Sequence, residues 1–233
     1  MGITAPEIAK MIDLSCVRTW SDRADIEEMV NAAITYGFGQ VSVLHCYIPY
    51  TQQLLGGHEG IRVVGNVSFP SGSDSTTLKI AQAQEMLAAG CGEIDMVMNI
   101  GRLKSGEFSE VEEDVKAVAR VVAPLPLKVI IELMYLTHAQ VEQACRICVE
   151  SGAAFVKTGT GWANRGTTLE DVKLVKSFVG DRIKIKASGG IRDLATLLEM
   201  YRAGARRFGV NLKSGIEIVQ QAIAAGDVIS LEP

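Results

Sequence analysis

The chain has 233 residues, of which 48% are hydrophobic and 21% are charged, a composition typical of folded globular proteins and unlike that of disordered ones. Its 23 Lys and Arg against 27 Asp and Glu give a net charge of −4, without the basic excess that binds a phosphate backbone, so we expect no nucleic-acid partner. No apolar run reaches the roughly 18 residues that span a bilayer and no signal-peptide pattern opens the sequence, so we expect a cytoplasmic protein without a membrane partner.

The predicted elements alternate between strand and helix along the whole chain. After an opening helix at residues 6–11, each short β-branched run is followed by an amphipathic segment of about a dozen residues. The predicted strands lie at residues 12–16, 40–44, 61–67, 93–98, 127–132, 154–158, 183–188 and 206–210. The predicted helices that follow them lie at residues 25–37, 48–57, 76–90, 109–122, 138–152, 168–180, 193–204 and 213–226.

This alternation comprises eight strand–helix units, and no Pro- or Ser-rich linker divides them. Eight units fit a closed barrel better than an open doubly wound sheet, which typically has fewer strands and a GxGxxG motif after the first of them. We therefore predict an α/β fold: a single (β/α)₈ TIM barrel with a short N-terminal helix, forming one domain over residues 1–233.

Charged residues interrupt several of the apolar strands, and a barrel fold predicts where they point. Strand side chains alternate between the lumen and the helix layer, and barrel active sites lie at the carboxyl ends of the strands. The alternation predicts that Asp95 points inward and that Lys157 and Lys186 meet at neighbouring strand ends. Four further charged residues are predicted on lumen faces: Glu93, Lys128, Glu132 and Lys184. Of these, we expect Glu93, Lys128 and Lys184 to lie deeper and to form ion pairs, with Lys184 beside Glu93.

Two lysines at neighbouring strand ends are suited to nucleophilic chemistry. Their ammonium groups repel each other, which favours loss of one proton and can move a lysine pKa from about 10.4 toward about 7. A neutral amine attacks a carbonyl to form a Schiff base, whose iminium accepts the electrons of a breaking carbon–carbon bond. Asp95 is placed to move protons directly or through water. Together, Lys157, Lys186 and Asp95 predict a class I aldolase.

Two loops are suited to a small phosphorylated substrate. Ser188, Gly189 and Gly190 follow the seventh predicted strand, and residues 209–213 follow the eighth. In barrels, these two loops often hold a phosphate with backbone N–H groups and helix dipoles. A Gly-Gly pair is also common in tight turns, so both interpretations stay open on these residues alone.

Four sequence segments give a more specific indication: GEIDMVMNIG (92–101), KVIIE (128–132), GAAFVKTGTG (152–161) and KASGGIR (186–192). They resemble the deoxyribose-phosphate aldolase family, and the similarity extends from about Ile12 to Gly215. The resemblance implies a (β/α)₈ fold and cleavage of 2-deoxyribose 5-phosphate to glyceraldehyde 3-phosphate and acetaldehyde, without metal or organic cofactor. It also implies that barrels of this kind form homodimers.

The same resemblance assigns roles to individual residues. It implies that Lys157 forms the Schiff base, that Lys186 lowers its pKa and that Asp95 transfers protons. Asp13 would either pair with Lys186 or hold a substrate hydroxyl. The substrate and phosphate are expected to contact the following residues: Gly161, Trp162, Ser188, Gly189, Gly190, Gly209, Asn211 and His45.

The chain departs from the family pattern on the substrate side. Val210, Asn211 and Leu212 stand where the family usually has a small residue and serines, and Trp162 stands where it often has a small residue, Lys or Phe. Losing hydroxyls that bind phosphate costs roughly 1–3 kcal/mol for each unsatisfied contact. These changes, with His45, motivate a second hypothesis: an aldolase of the same family with a different short-chain hydroxy-aldehyde or sugar-phosphate substrate. A third is a barrel that binds a sugar phosphate without catalysis.

The cysteines and histidines suggest other chemistry only weakly. Cys145 and Cys148 form a CxxC pair, but they lie within a helical pattern without a second pair, so we interpret them as helix-core residues. His45 and Cys46 are adjacent on a predicted strand end, and adjacent residues there point to opposite faces, which disfavours a Cys/His nucleophile. Five scattered cysteines are typical of free thiols in a reducing compartment, and three scattered histidines predict no catalytic metal.

Overall fold

A computed structural model describes residues 2–231 of the chain and has eight parallel strands that close into a barrel. Each barrel strand pairs with the next along the chain, and the last pairs with the first. The predicted (β/α)₈ barrel and its short N-terminal helix are therefore confirmed. The single domain over residues 1–233 stays a prediction, since residues 1, 232 and 233 lie outside the described part.

The strand bounds follow the predicted ones closely. The barrel consists of β2 (Ile12–Cys16), β3 (Gln40–Val43), β4 (Arg62–Val67), β5 (Glu93–Val97), β6 (Leu127–Ile130), β7 (Phe155–Lys157), β8 (Lys184–Ser188) and β9 (Ala205–Asn211). Two further strands, β1 (Gly2–Ile3) and β10 (Ile229–Ser230), pair antiparallel outside the barrel. Sequence patterns missed this small sheet because strands of two residues show no periodicity.

Helices surround the barrel. They are α1 (Ala5–Lys10), α2 (Arg23–Tyr36), α3 (Ile48–Leu55), α4 (Thr76–Ala88), α5 (Ile100–Lys104), α6 (Phe108–Val122), α7 (His138–Glu150), α8 (Leu169–Val179), α9 (Leu194–Arg202) and α10 (Leu212–Ala224). Local sequence fixes many of their ends. Thr137 caps α7 in a reciprocal hydrogen-bonding pair with Gln140, and Gly37 ends α2 with a left-handed φ of 71°.

Strand alternation places apolar and charged residues on opposite faces of the sheet. On β5, Ile94 and Met96 belong to the hydrophobic layer between strands and helices, whereas Glu93 and Asp95 take part in the polar contacts of the lumen. Cys145 is buried on α7 in the same hydrophobic layer, together with Cys148, as predicted. The hydrophobic core therefore surrounds the barrel, and the lumen is left to charged groups.

Candidate active site

Asp95 is the centre of a buried charged network inside the barrel. One carboxylate oxygen accepts a hydrogen bond from Lys157 at 2.7 Å and another from Lys186 at 2.9 Å, and the second oxygen accepts from Lys128 at 3.0 Å. The strand register explains why these side chains come together. Asp95 on β5 is the register partner of Lys128 on β6, and Lys157 on β7 is the register partner of Lys186 on β8. The predicted inward direction of Asp95 and the predicted meeting of Lys157 with Lys186 agree with this geometry.

Asp13 joins the network from β2. Its carboxylate accepts a hydrogen bond from Lys186, and its other oxygen lies 3.3 Å from the guanidinium of Arg207. Of the two roles weighed for Asp13, pairing with Lys186 is the one that these contacts support. Because Asp13 and Lys186 are both buried, the pair also holds the Lys186 ammonium in place.

Deeper in the lumen, a second set of contacts is centred on Glu93 and stabilises the barrel. Lys128 lies 2.5 Å from Glu93, which also accepts from Gln40 and lies 3.7 Å from Arg207. Although burial opposes the charged form, the carboxylates of Asp95, Asp13 and Glu93 raise the pKa of Lys128 above its ordinary value. Lys128 therefore stays charged and pairs with Glu93, and both residues lie in an ion-pair network, as the sequence predicts.

The prediction for Lys184 is wrong. Lys184 is exposed at the first position of β8, and its ammonium lies 5.7 Å from the centre of the Phe155 ring, not beside Glu93. Arg207 occupies the predicted place beside Glu93 instead. Alternation correctly gives the face of a strand residue, but Lys184 lies at the amino end of its strand, where a long side chain reaches solvent.

Glu132 also lies elsewhere than expected, because β6 ends at Ile130. Its backbone has a left-handed φ of 44°, and its carboxylate accepts hydrogen bonds from the backbone N–H of Thr160 at 3.0 Å and the Thr160 hydroxyl at 2.5 Å. Glu132 thus fastens the loop that follows Lys157. This contact positions the neighbouring Gly161 at the rim of the barrel.

The lumen cluster has more positive than negative charge. It contains four cationic side chains and three carboxylates, namely Lys128, Lys157, Lys186, Arg207, Asp13, Glu93 and Asp95. Burial raises the pKa of a carboxyl, yet the charges of Lys128, Lys157 and Lys186 hold the pKa of Asp95 well below its usual range. Four cationic groups facing three carboxylates leave an excess of positive charge, which loss of one proton from a lysine removes.

Lys157 is the lysine that loses the proton most easily. Burial lowers the pKa of the Lys157 ammonium to about 8, the charges of Lys186 and Lys128 act in the same direction, and Asp95 opposes them. The predicted cause, repulsion by Lys186, therefore contributes but is secondary to burial. Lys157 is also the cluster member that lines the open cavity at this end of the barrel.

The cavity above Lys157 has a volume of about 130 Å³ and collects most of the predicted substrate-side residues. Gly161, Ser188, Gly189, Gly190, Gly209 and Asn211 all line it. A Cβ atom at Gly209 would overlap the Ser188 hydroxyl oxygen, so a larger residue there would displace that hydroxyl. That hydroxyl is buried without a hydrogen-bond partner in the described protein, so it is available to a ligand.

Asn211 lies at the start of α10, and its side-chain oxygen accepts a hydrogen bond from the backbone N–H of Ser214 at 2.9 Å. Its carboxamide oxygen therefore serves as a helix cap, although the residue also lines the cavity. Val210 is apolar and lines the same wall. The last loop offers the substrate little hydroxyl chemistry, as the sequence indicates.

Trp162 and His45 lie outside this cavity. The Trp162 ring packs edge-on against Phe69 with ring centres 6.1 Å apart, and Phe69 does line the cavity. His45 belongs to a short 3₁₀ turn, not to a strand end, and faces a neighbouring cavity where its imidazole lies 3.4 Å from Glu85. Trp162 is therefore one contact removed from the space above Lys157, and His45 belongs to the neighbouring cavity.

Within residues 2–231, no group of three or more His, Cys, Asp or Glu side chains is arranged to hold a metal ion. Over the same residues, no helix combines the length and apolar character needed to cross a membrane. The expectations about metal and organic cofactors stay predictions.

Comparison with known proteins identifies the chain. The sequence model of the DeoC/LacD family aldolases matches residues 8–220. The chain belongs to this family. The deoxyribose-phosphate aldolase of Sinorhizobium medicae is 43% identical over 218 residues, which are 94% of this chain and 88% of that protein. The deoxyribose-phosphate aldolase of Carboxydothermus hydrogenoformans is 40% identical over 229 residues, 97% and 99% of the two chains.

A solved structure agrees with these relatives. QR15, an aldolase, is 37% identical with a TM-score of 0.87, and the match covers 94% of this chain and 96% of that one. The family predicted from the four sequence segments is therefore confirmed, and the protein is an aldolase of the DeoC/LacD family.

Sequence reasoning missed three arginines of this aldolase. Arg18 and Arg192 line the cavity, and Arg207 completes the lumen cluster. Arg207 could have been found, since it precedes Gly209 by two residues on a strand and so shares its face. Arg18 and Arg192 lie in loops, where no periodicity gives a direction, and only the folded chain brings them together.

Proposed function

We propose that this DeoC/LacD aldolase cleaves 2-deoxyribose 5-phosphate reversibly to glyceraldehyde 3-phosphate and acetaldehyde, through a Schiff base on Lys157. The observation that carries the proposal is the Asp95 carboxylate bonded at once to Lys157 and Lys186, beside an open cavity. The names of the relatives, deoxyribose-phosphate aldolases 40–43% identical to this chain, support the substrate.

The first step is attack of the Lys157 amine on the aldehyde carbon of the open-chain sugar. At pH 7.5, an amine with a pKa of about 8 is neutral in about a quarter of the molecules, against roughly one in a thousand for an ordinary lysine. The carbinolamine then loses water and becomes an iminium. Lys186 supplies the proton on the departing oxygen, directly or through a water molecule beside Asp95.

The second step breaks the bond between C2 and C3 of the sugar. The C3 hydroxyl passes its proton, through water beside Asp95, to the Lys186 amine that gave one up in the first step, while the bonding electrons move to the iminium, giving glyceraldehyde 3-phosphate and an enamine on Lys157. Protonation of the enamine carbon restores an iminium, and water releases acetaldehyde and the free amine. Because its pKa is so low, Asp95 is a weak base, and its role is to hold the two lysines and to relay protons through water.

The phosphate is proposed to lie at the glycine-rich side of the cavity. Gly189 has a left-handed φ of 92°, and a Cβ atom there would approach the backbone of Gly161 to 3.3 Å. Both glycines line the cavity, and so does Asn211, the residue at which α10 begins, so the positive end of that helix adjoins this wall. The unpartnered Ser188 hydroxyl adds one more donor.

One specific observation supports a second candidate substrate. The last loop presents Val210 and an Asn211 whose oxygen already caps α10, so this wall offers fewer donors to a phosphate. A DeoC/LacD aldolase with a different short-chain hydroxy-aldehyde or sugar-phosphate substrate would use the same lysine chemistry.

Reduction with borohydride tests the chemistry. Incubation with acetaldehyde and borohydride is expected to leave an N-ethyl group on Lys157, located by peptide mass spectrometry. Lys157→Ala should carry no adduct, and Lys79, a buried lysine outside the barrel, provides an internal control that should stay unmodified. An unmodified Lys157 in active enzyme would disprove the Schiff base, and a protein with neither activity nor adduct would be the non-catalytic barrel.

Substrate identity needs a separate measurement. The kcat/KM for 2-deoxyribose 5-phosphate should exceed that for 2-deoxyribose and for phosphorylated sugars one carbon longer or shorter. Equal values with and without phosphate would favour the second candidate.

The cytoplasmic location and the homodimer also belong to this proposal. The five cysteines are free thiols, and three of them are buried, which supports a reducing compartment. The homodimer rests on the family resemblance, and light scattering after size-exclusion chromatography tests it.

A further inference from the structure

Arg18 stands at the rim of the active-site cavity without a role in the lysine chemistry. It follows β2 in the loop that leads to α2 and lines the cavity together with Gly161, Gly189 and Arg192. Its guanidinium donates a hydrogen bond to the backbone carbonyl of Gly161 at 3.0 Å. The side chain therefore bridges two loops that belong to distant parts of the sequence.

Both tryptophans of the chain contact this guanidinium. The centre of the Trp162 ring lies 5.4 Å from it, and that of the Trp20 ring lies 5.9 Å from it. Aromatic faces attract a guanidinium and leave its in-plane N–H groups free for hydrogen bonds. An exposed arginine is thus held in one place, so a ligand that binds it loses little extra side-chain entropy.

The charge that lines the active-site cavity beside Arg18 is unbalanced. Within residues 2–231, no carboxylate forms an ion pair with Arg18, and no acidic residue lines the cavity. Arg192 lines the same cavity, and its guanidinium contacts the Ser214 hydroxyl at 3.4 Å. Two guanidinium groups beside a glycine-rich wall make this end of the cavity suited to an anion.

We propose that Arg18 is a specificity-determining residue that binds the phosphate of the substrate, an inference that rests on the proposed function. Guanidinium N–H groups match phosphate oxygens in geometry and charge. They would replace the hydroxyl donors that the loop of Val210, Asn211 and Leu212 does not offer. Trp162 then acts through Arg18, as a positioning residue that does not itself line the cavity.

Steady-state kinetics with paired substrates test this assignment. Arg18→Gln should lower kcat/KM for 2-deoxyribose 5-phosphate by about tenfold or more, mainly through KM, because a hydrogen bond to a charged group is lost. The value for unphosphorylated 2-deoxyribose should stay within about twofold, and borohydride trapping of acetaldehyde should be unchanged. The matched control is Arg120→Gln, an arginine on α6 whose side chain is 72% exposed, which should alter neither substrate.

Intrinsic fluorescence gives a readout besides activity. Because both tryptophans adjoin Arg18, titration with inorganic phosphate should change the emission of the wild-type protein. The midpoint should rise about tenfold or more in Arg18→Gln and by less in Arg18→Lys, which keeps the charge but not the planar fork. A competitive inhibition constant for phosphate should move by the same factor.

The outcomes separate the two proposals. Wild-type protein that neither cleaves the sugar phosphate nor traps acetaldehyde would overturn the proposed function itself. Wild-type activity combined with an equal loss on both substrates, no loss in Arg18→Gln, or an unchanged phosphate midpoint would overturn the role of Arg18. If Arg18→Gln fails to fold, Arg18→Met decides by the same measurements, because phosphate affinity equal to wild type in kinetics and fluorescence alike would overturn the role of Arg18.

Discussion

Two buried lysines of this protein show what separates a structural ammonium group from a reactive one. Lys79 donates to Asp114 at 2.5 Å in the layer between α4 and α6, and Lys157 donates to Asp95 at 2.7 Å inside the barrel. Both side chains are buried, and burial is the largest cause that lowers the pKa of each. Burial and pairing with a carboxylate therefore do not distinguish the structural Lys79 from the reactive Lys157.

The difference lies in how the carboxylate is shared and in what lies above the amine. Asp114 accepts from one lysine and from the hydroxyl of Thr76, and the Lys79 ammonium also donates to the Val97 carbonyl at 3.2 Å. Asp95 is shared by three lysines, and Lys157 opens to a cavity. A reactive lysine therefore needs, besides burial, a counterion that it shares with other cations and a path by which the substrate reaches its amine.

Replacing Lys157 should have the strongest effect on activity. Lys157→Met should reduce turnover to background, because no other amine lines the cavity among the described residues. Its melting temperature should be unchanged or higher, since the substitution removes one of four cations that face three carboxylates. Steady-state assays and thermal unfolding measure the two effects. A large loss of stability would contradict the excess of positive charge in the lumen cluster.

Lys79→Met should show the opposite pattern. The substitution leaves Asp114 buried without its ion-pair partner and should lower the free energy of unfolding by about 3–5 kcal/mol. The folded fraction should keep its kcat, because Lys79 does not reach the cavity. Denaturant unfolding provides the measurement, and Lys79→Met combined with Asp114→Leu is the control, which should recover part of the loss.

Asp95→Asn removes the counterion that the three lysines share. The carboxylate raises the pKa of Lys157, so its loss should move that pKa below about 8. Imine formation needs the neutral amine, and its rate should therefore reach its plateau at lower pH than in wild type. Turnover should nevertheless fall, because the proton relay is lost. Trapping rates from pH 5 to about 10 give the profile, and an upward shift would contradict the assignment.

Lys186→Leu should give a smaller shift with the opposite sign. Its ammonium lowers the pKa of Lys157, so the variant should move that pKa from about 8 upward without reaching the ordinary value of about 10.4. At neutral pH fewer amines are neutral, and trapping should slow, with recovery as the pH rises. An unchanged profile would remove Lys186 from this role.

The sequence predicted the fold well because its main signal is local and repeated. Strands as short as β7 were found since each is apolar, β-branched and followed by a helical pattern, and Gly37 marks the end of α2. The same alternation correctly placed Asp95 inside the barrel. It gives the face of a residue but not its height along the strand, which is why Lys184 was misplaced.

The substrate side was predicted less completely. Gly161 and Gly189 were found because short motifs mark them. Arg192 ends one of these motifs but received no role, and Arg18 lies in a loop whose direction depends on the whole fold. The sequence also could not show that burial, more than repulsion by Lys186, lowers the pKa of Lys157, because burial depends on every neighbouring strand. Local sequence patterns therefore predict the strands and helices, whereas long-range contacts decide which loop residues line the rim of the cavity.

The Asp95 carboxylate is also a cross-brace of the barrel wall. Its three lysine partners belong to β6, β7 and β8, so a single side chain joins three consecutive strands to β5 from the inside. The loops at the rim of this site therefore tolerate substitution better than the charged cluster inside the barrel does. Loops at the rim can change to accept new aldehydes, whereas a change at Asp95 alters architecture and chemistry together.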